Sequence, residues 1–122
     1  MATQAERREA TIGAIDQAAR RLFETRGFAE DLYRVATAKQ VEIDALIELH
    51  AKNWRLERMA VVDRNLLRTA IAEMLAYPNT PAPIIINESL EVARRYAAPE
   101  SIHFLNGVLD AVARDLLKQR LG

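Results

Sequence analysis

The sequence predicts an all-α protein, a compact bundle of about six helices in a single domain over residues 1–122. Apolar residues recur at spacings of three and four, the helical period, and no stretch alternates convincingly at the period of two that marks strands. Only four glycines and four prolines interrupt the chain, and 50% of its residues are hydrophobic. A chain of this length buries roughly two-thirds of its unfolded surface, so it needs neither disulfides nor metals to fold.

Three helices are expected in the first half of the chain. The first runs from about Gln4 to Thr25 and is followed by Gly27, a residue type that favours helix C-caps. The second covers about Ala29 to Ala38, and the third about Ile43 to Asn53. The residues expected to face the core are Ile12, Ile15, Ala19, Leu22 and Phe23 in the first helix, Leu32, Val35 and Ala36 in the second, and Ile43, Leu46, Ile47 and His50 in the third.

The fourth predicted helix, about Glu57 to Ala76, has the longest apolar stripe. The stripe is widened by Val61 and Leu67, which indicates a central helix that is buried on more than one side. A segment with three prolines, residues 77–83, ends this helix because proline cannot continue one. The stripe itself consists of Met59, Val62, Leu66, Ala70, Ile71, Met74 and Leu75.

Two further helices follow the proline segment. The fifth begins near Pro83, which suits a first-turn position, and ends near Tyr96. The last begins near Pro99 and Glu100 and reaches about Arg120. Their expected core residues are Ile86, Leu90, Val92 and Ala93, and then Phe104, Leu105, Val108, Leu109, Val112, Leu116 and Leu117. Short loops between successive helices favour packing between neighbours.

The composition excludes several classes of protein. The chain has no cysteine, which excludes a disulfide scaffold, a thiol nucleophile and a thiolate zinc site. It shows no secretory signal and no apolar run of the ~18 residues that a membrane span needs, so we expect a cytoplasmic protein that is not bound to a membrane. Lys plus Arg and Asp plus Glu are balanced at 17 each, so any nucleic-acid contact must use a local patch or a partner.

No residue pattern indicates catalysis. His50 and His103 are isolated in sequence, and no glycine-rich phosphate loop is present, so we expect no metal site and no cofactor. Nearly all acidic residues are expected on the outer faces of helices, among basic ones. The sequence offers no grouping of nucleophile, base and orienting residue, and therefore favours a binding module over an enzyme.

Two stretches carry a resemblance to a known family. One contains the segment Asp63-Arg64-Asn65-Leu66-Leu67-Arg68. The other pairs Ile86-Asn87-Glu88-Ser89-Leu90-Glu91-Val92-Ala93 with Phe104-Leu105-Asn106-Gly107-Val108-Leu109-Asp110. Over about Phe28 to Leu117, the chain resembles NusB, the family of bacterial transcription antitermination factors.

The resemblance implies the all-helical NusB fold and a role in transcription antitermination. It implies that the chain pairs with the small-subunit ribosomal protein NusE. Together the two would bind a boxA-type single-stranded RNA element and act within the RNA polymerase antitermination complex. Single-stranded bases are recognised by their edges and by stacking, which a helical surface can offer.

The resemblance also assigns two groups of residues. The expected RNA contacts are Arg7, Arg8, Arg68, Glu100, Ser101 and Phe104. The expected contacts for the protein partner are Trp54, Glu57, Asp63 and Arg64. For Asn87, Glu88, Asn106 and Gly107 we expect a structural role, with Gly107 allowing a close helix crossing that the two asparagines bridge.

Alternative functions remain open at this stage. NusB proteins usually carry a dense run of arginines on the first helix, whereas this chain has Glu6-Arg7-Arg8-Glu9. By comparison with the family, we also expect a shortened N-terminal region. One alternative is therefore a divergent NusB-like module that keeps the protein partner and has lost RNA binding. Another is a domain of an RNA cytosine methyltransferase, which requires a longer chain that continues past Gly122.

Overall fold

A computed structural model of the chain describes residues 28–52 and 54–121, together with Thr3 and Glu6. It contains five α-helices, with no strand in these ranges, and so confirms the predicted fold class. The helices are α1 (Phe28–Ala38), α2 (Gln40–His50), α3 (Val61–Ala76), α4 (Ala82–Tyr96) and α5 (Ser101–Leu121), and a 3-10 turn (Leu56–Arg58) precedes α3. Apart from Glu6, the predicted first helix and its cap Gly27 lie outside the described residues.

The centre of the bundle is α3, which contacts each of the other four helices. Every residue from position 69 to position 74 is buried, so this part of the helix exposes no face to solvent. Leu66, Leu67 and Ile71 are all fully buried, and each contributes roughly 1.5–3 kcal/mol by leaving water. The prediction of a central helix buried on more than one side is confirmed.

Two helix boundaries differ from the expected ones. The helix predicted from Ile43 begins earlier, at Gln40. The apolar pattern did not include its first turn, because the apolar residue there, Val41, is 85% exposed and does not lie on the buried face. The helix predicted from Glu57 begins only at Val61, because Met59 and Ala60 have extended backbone angles. Leu56, in the 3-10 turn, and Met59, directly after the turn, are both buried in the core.

An arginine near the end of α5 binds backbone carbonyls at the end of α3 and in the segment between α3 and α4. Arg120 donates hydrogen bonds of 3.1 Å to the carbonyl oxygens of Met74 and Pro78. These carbonyls lie at or beyond the last turn of α3, where the helix itself supplies no donor. Pro83 lies in the first turn of α4, where its missing N–H costs nothing. The chain therefore reverses at residues 77–81 without leaving these two carbonyls unpaired.

Polar side chains join helices that are distant in sequence. His50 Nε2 lies 2.5 Å from Asp115 Oδ2, which ties the end of α2 to α5 and confirms that His50 faces inward. The Tyr77 hydroxyl donates a 2.9 Å hydrogen bond to Asp31, which ties the end of α3 to α1. In the described ranges, no helix has the length and apolar character needed to cross a membrane.

Some expected positions are wrong. Val61 and Leu117 were expected in the core, but they are 59% and 54% exposed, because each lies at the edge of its helix's apolar face. Nearly all acidic residues are expected on outer faces, and Asp63, Glu73 and Glu88 are the exceptions among the described residues, each at least nine-tenths buried. A prediction from residue type alone is therefore wrong about the burial of these three carboxylates.

The expected close crossing at Gly107 is also wrong. Gly107 is exposed, and a Cβ atom added there meets no described atom within 4 Å. Asn87 and Asn106 are exposed as well, so they bridge no buried crossing. Glu88 is the only one of the four that is buried, at 2% exposure, in agreement with its expected structural role.

Gly107→Ala is expected to stabilise the protein by about 1 kcal/mol, because an exposed glycine inside a helix adds backbone entropy to the unfolded chain and packs against nothing. The free energy of unfolding in urea measures this. A variant that is less stable than the wild type would show that the position needs glycine.

Tyr77 is expected to ionise only at strongly alkaline pH. Burial, the hydrogen bond to Asp31 and the charges of Asp31 and Glu73 raise its pKa from 10.0 to about 12. Because the folded pKa lies above the unfolded one, this tyrosine's contribution to stability is complete below pH 10 and disappears as the pH rises through about 12. Phenolate absorbance against pH should show this late titration in the wild type and lack it in Tyr77→Phe.

Candidate functional site: a pocket between two helix starts

A surface pocket of about 360 Å³ lies where the starts of α3 and α5 meet the 3-10 turn. We call it the aromatic pocket. It brings together residues expected to contact RNA and residues expected to contact the protein partner. Its lining consists of Trp54, Met59, Ala60, Asp63, Glu100, Ser101 and Phe104.

The carboxylate of Asp63 is the most deeply buried polar group of this pocket. Asp63 is 7% exposed and lies in the first turn of α3, where the partial positive charge of the helix start stabilises a carboxylate. Ser101 Oγ donates a 2.7 Å hydrogen bond to Asp63 Oδ2, which joins the starts of α3 and α5. Asp63 Oδ1 has no hydrogen-bond partner among the described residues. This oxygen is enclosed by protein atoms, so an incoming donor reaches it only when the lining of the pocket shifts.

Two aromatic rings form the apolar part of the pocket. The ring centroids of Trp54 and Phe104 lie 6.2 Å apart, with an interplanar angle of 60°. Trp54 is 53% exposed, whereas Phe104 is half-buried and packs against the core. An exposed indole beside a more fixed phenyl ring gives a planar ligand an apolar surface next to the Asp63 acceptor.

The lining residues carry negative charge. Among the described residues, Asp63 and Glu100 are the charged side chains of this lining, and no lysine or arginine belongs to it. Arg55 and Arg58, which are adjacent in sequence to Trp54 and Met59, are exposed, whereas Arg64, adjacent to Asp63, is half-buried. A phosphate group is therefore disfavoured inside the pocket, whereas a neutral or cationic hydrogen-bond donor is favoured.

Comparison with known proteins identifies the family. The model of the NusB family matches residues 2–114. The chain belongs to the NusB family. It is 60% identical over 97 residues to the transcription antitermination protein NusB of Koribacter versatilis, across 80% of this chain and 66% of that protein. It is 40% identical over 117 residues to the NusB of Myxococcus xanthus, across 96% of this chain and 84% of that protein.

The aligned region does not span all of every relative. It covers 66% of the Koribacter protein and 59% of the NusB of Salinibacter ruber, which is 44% identical over 95 residues. The chain thus matches about two thirds or less of the length of these two NusB relatives.

Solved structures show the same fold. The structure of T. maritima NusB superposes on this chain with a TM-score of 0.76 and 31% sequence identity, over 93% of this chain and 92% of that one. A second structure, described as the crystal structure of a plectonemic RNA supercoil, has a TM-score of 0.78 at 22% identity, over 93% of this chain and 95% of that one. The second likeness concerns the fold alone.

Of the residues that the NusB resemblance assigned to RNA, three line the aromatic pocket: Glu100, Ser101 and Phe104. Arg68 lies elsewhere. Its Nε and Nη2 atoms donate to the two carboxylate oxygens of Asp44 at 2.8 and 3.0 Å, which ties α3 to α2. Arg68 also borders a separate pocket of about 260 Å³ with Tyr33 and Gln40. Arg7 and Arg8 lie outside the described residues.

The residues assigned to the protein partner are split in the same way. Trp54 and Asp63 line the aromatic pocket, whereas Glu57 and Arg64 do not. Arg64 is half-buried, and one of its terminal nitrogens donates a 3.4 Å hydrogen bond to the carbonyl of Leu56, which holds the 3-10 turn. Glu57 is exposed and lies 3.9 Å from Arg55, a separation at which a surface pair contributes little.

Sequence reasoning missed two features of the site. Met59 was expected only in the core stripe, and Ala60 was not singled out, yet both line the pocket. The ion pair of Asp44 with Arg68 joins residues 24 positions apart. No local signal marks such a pair, because it depends on how α2 packs on α3.

Ser101→Ala is expected to destabilise the protein by about 1–3 kcal/mol, because it leaves the buried Asp63 carboxylate without its hydrogen-bond donor. Ser101→Thr retains a hydroxyl and serves as the matched control. Urea unfolding of the two variants measures the difference. Equal stability of the alanine and threonine variants would contradict a structural role for this hydrogen bond.

Proposed function

We propose that this NusB-family chain is a transcription antitermination factor that binds boxA-type single-stranded RNA together with the ribosomal protein NusE. In this role it acts within the RNA polymerase antitermination complex of the cytoplasm, as a binding module without catalytic activity. Membership of the NusB family supports the antitermination role. The geometry of the aromatic pocket supports the way in which RNA is held.

The observation that carries the RNA assignment is the pair of aromatic rings, Trp54 and Phe104, in one pocket with the Asp63 carboxylate. A carboxylate oxygen accepts a hydrogen bond from an exocyclic amino group of a base, as carboxylates do with cytosine. Stacking of a base on an aromatic side chain contributes roughly 1–3 kcal/mol. A splayed-out base therefore fits both walls of this pocket.

From the distribution of charge we infer that the bases of the RNA enter the pocket and that its phosphates lie outside it. Asp63 and Glu100 repel phosphate, whereas Arg55 and Arg58 are exposed on the adjoining turn and are suited to the RNA backbone. The protein partner then approaches from the side of Trp54, Glu57 and Arg64. An exposed tryptophan is a frequent anchor of protein interfaces.

A second function is favoured by the acidic lining and by Arg68. The Arg68 guanidinium is held by Asp44 through two hydrogen bonds, so its charge is already balanced within the fold. In this alternative the chain keeps NusE as its partner and has lost RNA binding. The buried Asp63 acceptor then receives a cationic side chain of the partner instead of a base.

Trp54 provides the readout that separates these functions, because it is the only tryptophan in the chain. Its fluorescence is titrated with boxA-like RNA and with a scrambled RNA, in the presence and absence of NusE and at several salt concentrations. We expect the NusE complex to prefer the boxA-like RNA, with an affinity that falls as salt rises.

Phe104→Leu tests the pocket within the same titration. Loss of one stacked base is expected to weaken RNA binding about tenfold, since 1.4 kcal/mol corresponds to a factor of ten, and to leave NusE binding unchanged. Leu121→Ala, at an 81% exposed position on α5, is the control and should change neither. If NusE binds and neither RNA is preferred, the alternative is correct. If neither NusE nor RNA binds, both functions are contradicted.

A further inference from the structure

A second pocket lies at the opposite ends of the helices that form the aromatic pocket. It is bounded by the last turn of α3, the proline segment before α4 and the last turns of α5, and we call it the proline pocket. Met74 marks its edge on α3, 11 positions after Asp63. At a rise of 1.5 Å per residue, about 16 Å of helix separates the two pockets along α3. A ligand of one pocket therefore leaves the other accessible.

The walls of the proline pocket are mainly apolar and partly exposed. Its volume is about 360 Å³, and three prolines, Pro78, Pro81 and Pro83, form one side. Leu117 on α5 forms part of the other side and is 54% exposed. Ile84, next to Pro83, is 41% exposed. Rigid prolines and an exposed leucine give a preformed surface for an apolar side chain, since little conformational entropy is lost there on binding.

The charge at this pocket is positive. Arg114 is paired with Asp110 on its own helix, which leaves Arg120 as the unbalanced charge of the lining. Arg120 donates to two neutral backbone carbonyls, and no described carboxylate forms an ion pair with it. These two hydrogen bonds hold the guanidinium in place. A fixed guanidinium suits a carboxylate, because two of its N–H groups can bind both carboxylate oxygens.

We propose that the proline pocket is a docking site for a short segment of a partner protein that carries an acidic residue beside an apolar one. The carboxylate binds Arg120, and the neighbouring apolar side chain packs between Leu117 and Pro81. Charge complementarity selects this occupant: the aromatic pocket is lined by acids, whereas the proline pocket carries the net positive charge of Arg120. The two pockets therefore recognise ligands of opposite character.

The test uses the full chain and a displayed library of random short peptides. The library is selected on the wild-type protein alone, so that no peptide is chosen for its sensitivity to a variant. Leu117→Glu, which places a negative charge at an exposed position and is expected to fold, is used only for the affinity measurements. The recovered peptides should be enriched in acidic residues next to leucine, isoleucine or phenylalanine. Their affinities are then measured by fluorescence anisotropy for the wild type and each variant.

We expect Leu117→Glu and Arg120→Gln each to weaken these peptides about tenfold or more, which is the size of effect of losing one interface anchor. Leu49→Glu, at a 64% exposed leucine on α2, is the matched control and should leave their affinity unchanged. Because Arg120 also holds the end of α3, Leu117→Glu decides the result if Arg120→Gln unfolds. A selection that yields no acidic peptide of this kind, or only peptides that Leu117→Glu binds as well as the wild type does, would overturn the proposal. Concentration-dependent self-association that Leu117→Glu abolishes would also overturn it, because a second copy of the chain would then be the occupant.

Discussion

The packing of α3 against four other helices determines where the ends of this helix open to solvent. Its residues 69–74 are all buried, so the part of the helix that solvent reaches lies before and after them. At the first end, Asp63 meets the start of α5 and forms the aromatic pocket. At the other end, Met74 meets the end of α5 and forms the proline pocket. Both candidate binding surfaces therefore follow from one packing arrangement.

The two ends differ in charge for local reasons. A buried carboxylate is costly unless it is hydrogen-bonded, and Asp63 has the start of its own helix and the Ser101 hydroxyl to stabilise it. Its second oxygen has no hydrogen-bond partner among the described residues, which is unusual for a group buried to this degree. At the other end Arg120 stabilises helix carbonyls and leaves a positive charge there. In both places a residue that completes the fold also carries the group that we propose to contact a ligand.

The sequence predicts the positions of the helices better than it predicts the geometry of the candidate site. The apolar period located all five described helices, because core burial imposes that period on each of them. It did not predict the early start of α2, since exposed Val41 breaks the pattern, or the extended break at Met59 and Ala60. The presence of a glycine at position 107 alone suggested a close crossing of two helices there, whereas the structure has open space beside Gly107. For the site, the NusB motifs named Asp63, Ser101 and Phe104, but their convergence, and the pairing of Arg68 with Asp44, depend on tertiary packing that no local pattern encodes.

Amide hydrogen exchange of the folded protein tests the enclosure of α3 most directly. If the other helices enclose α3 as described, its amides from position 69 to position 74 exchange only when the whole protein unfolds. They should then be the slowest in the chain, with a free energy of opening equal to that of global unfolding in urea. Exchange of these amides as fast as that of the amides of α2, which exposes Val41 and Leu49, would contradict this account.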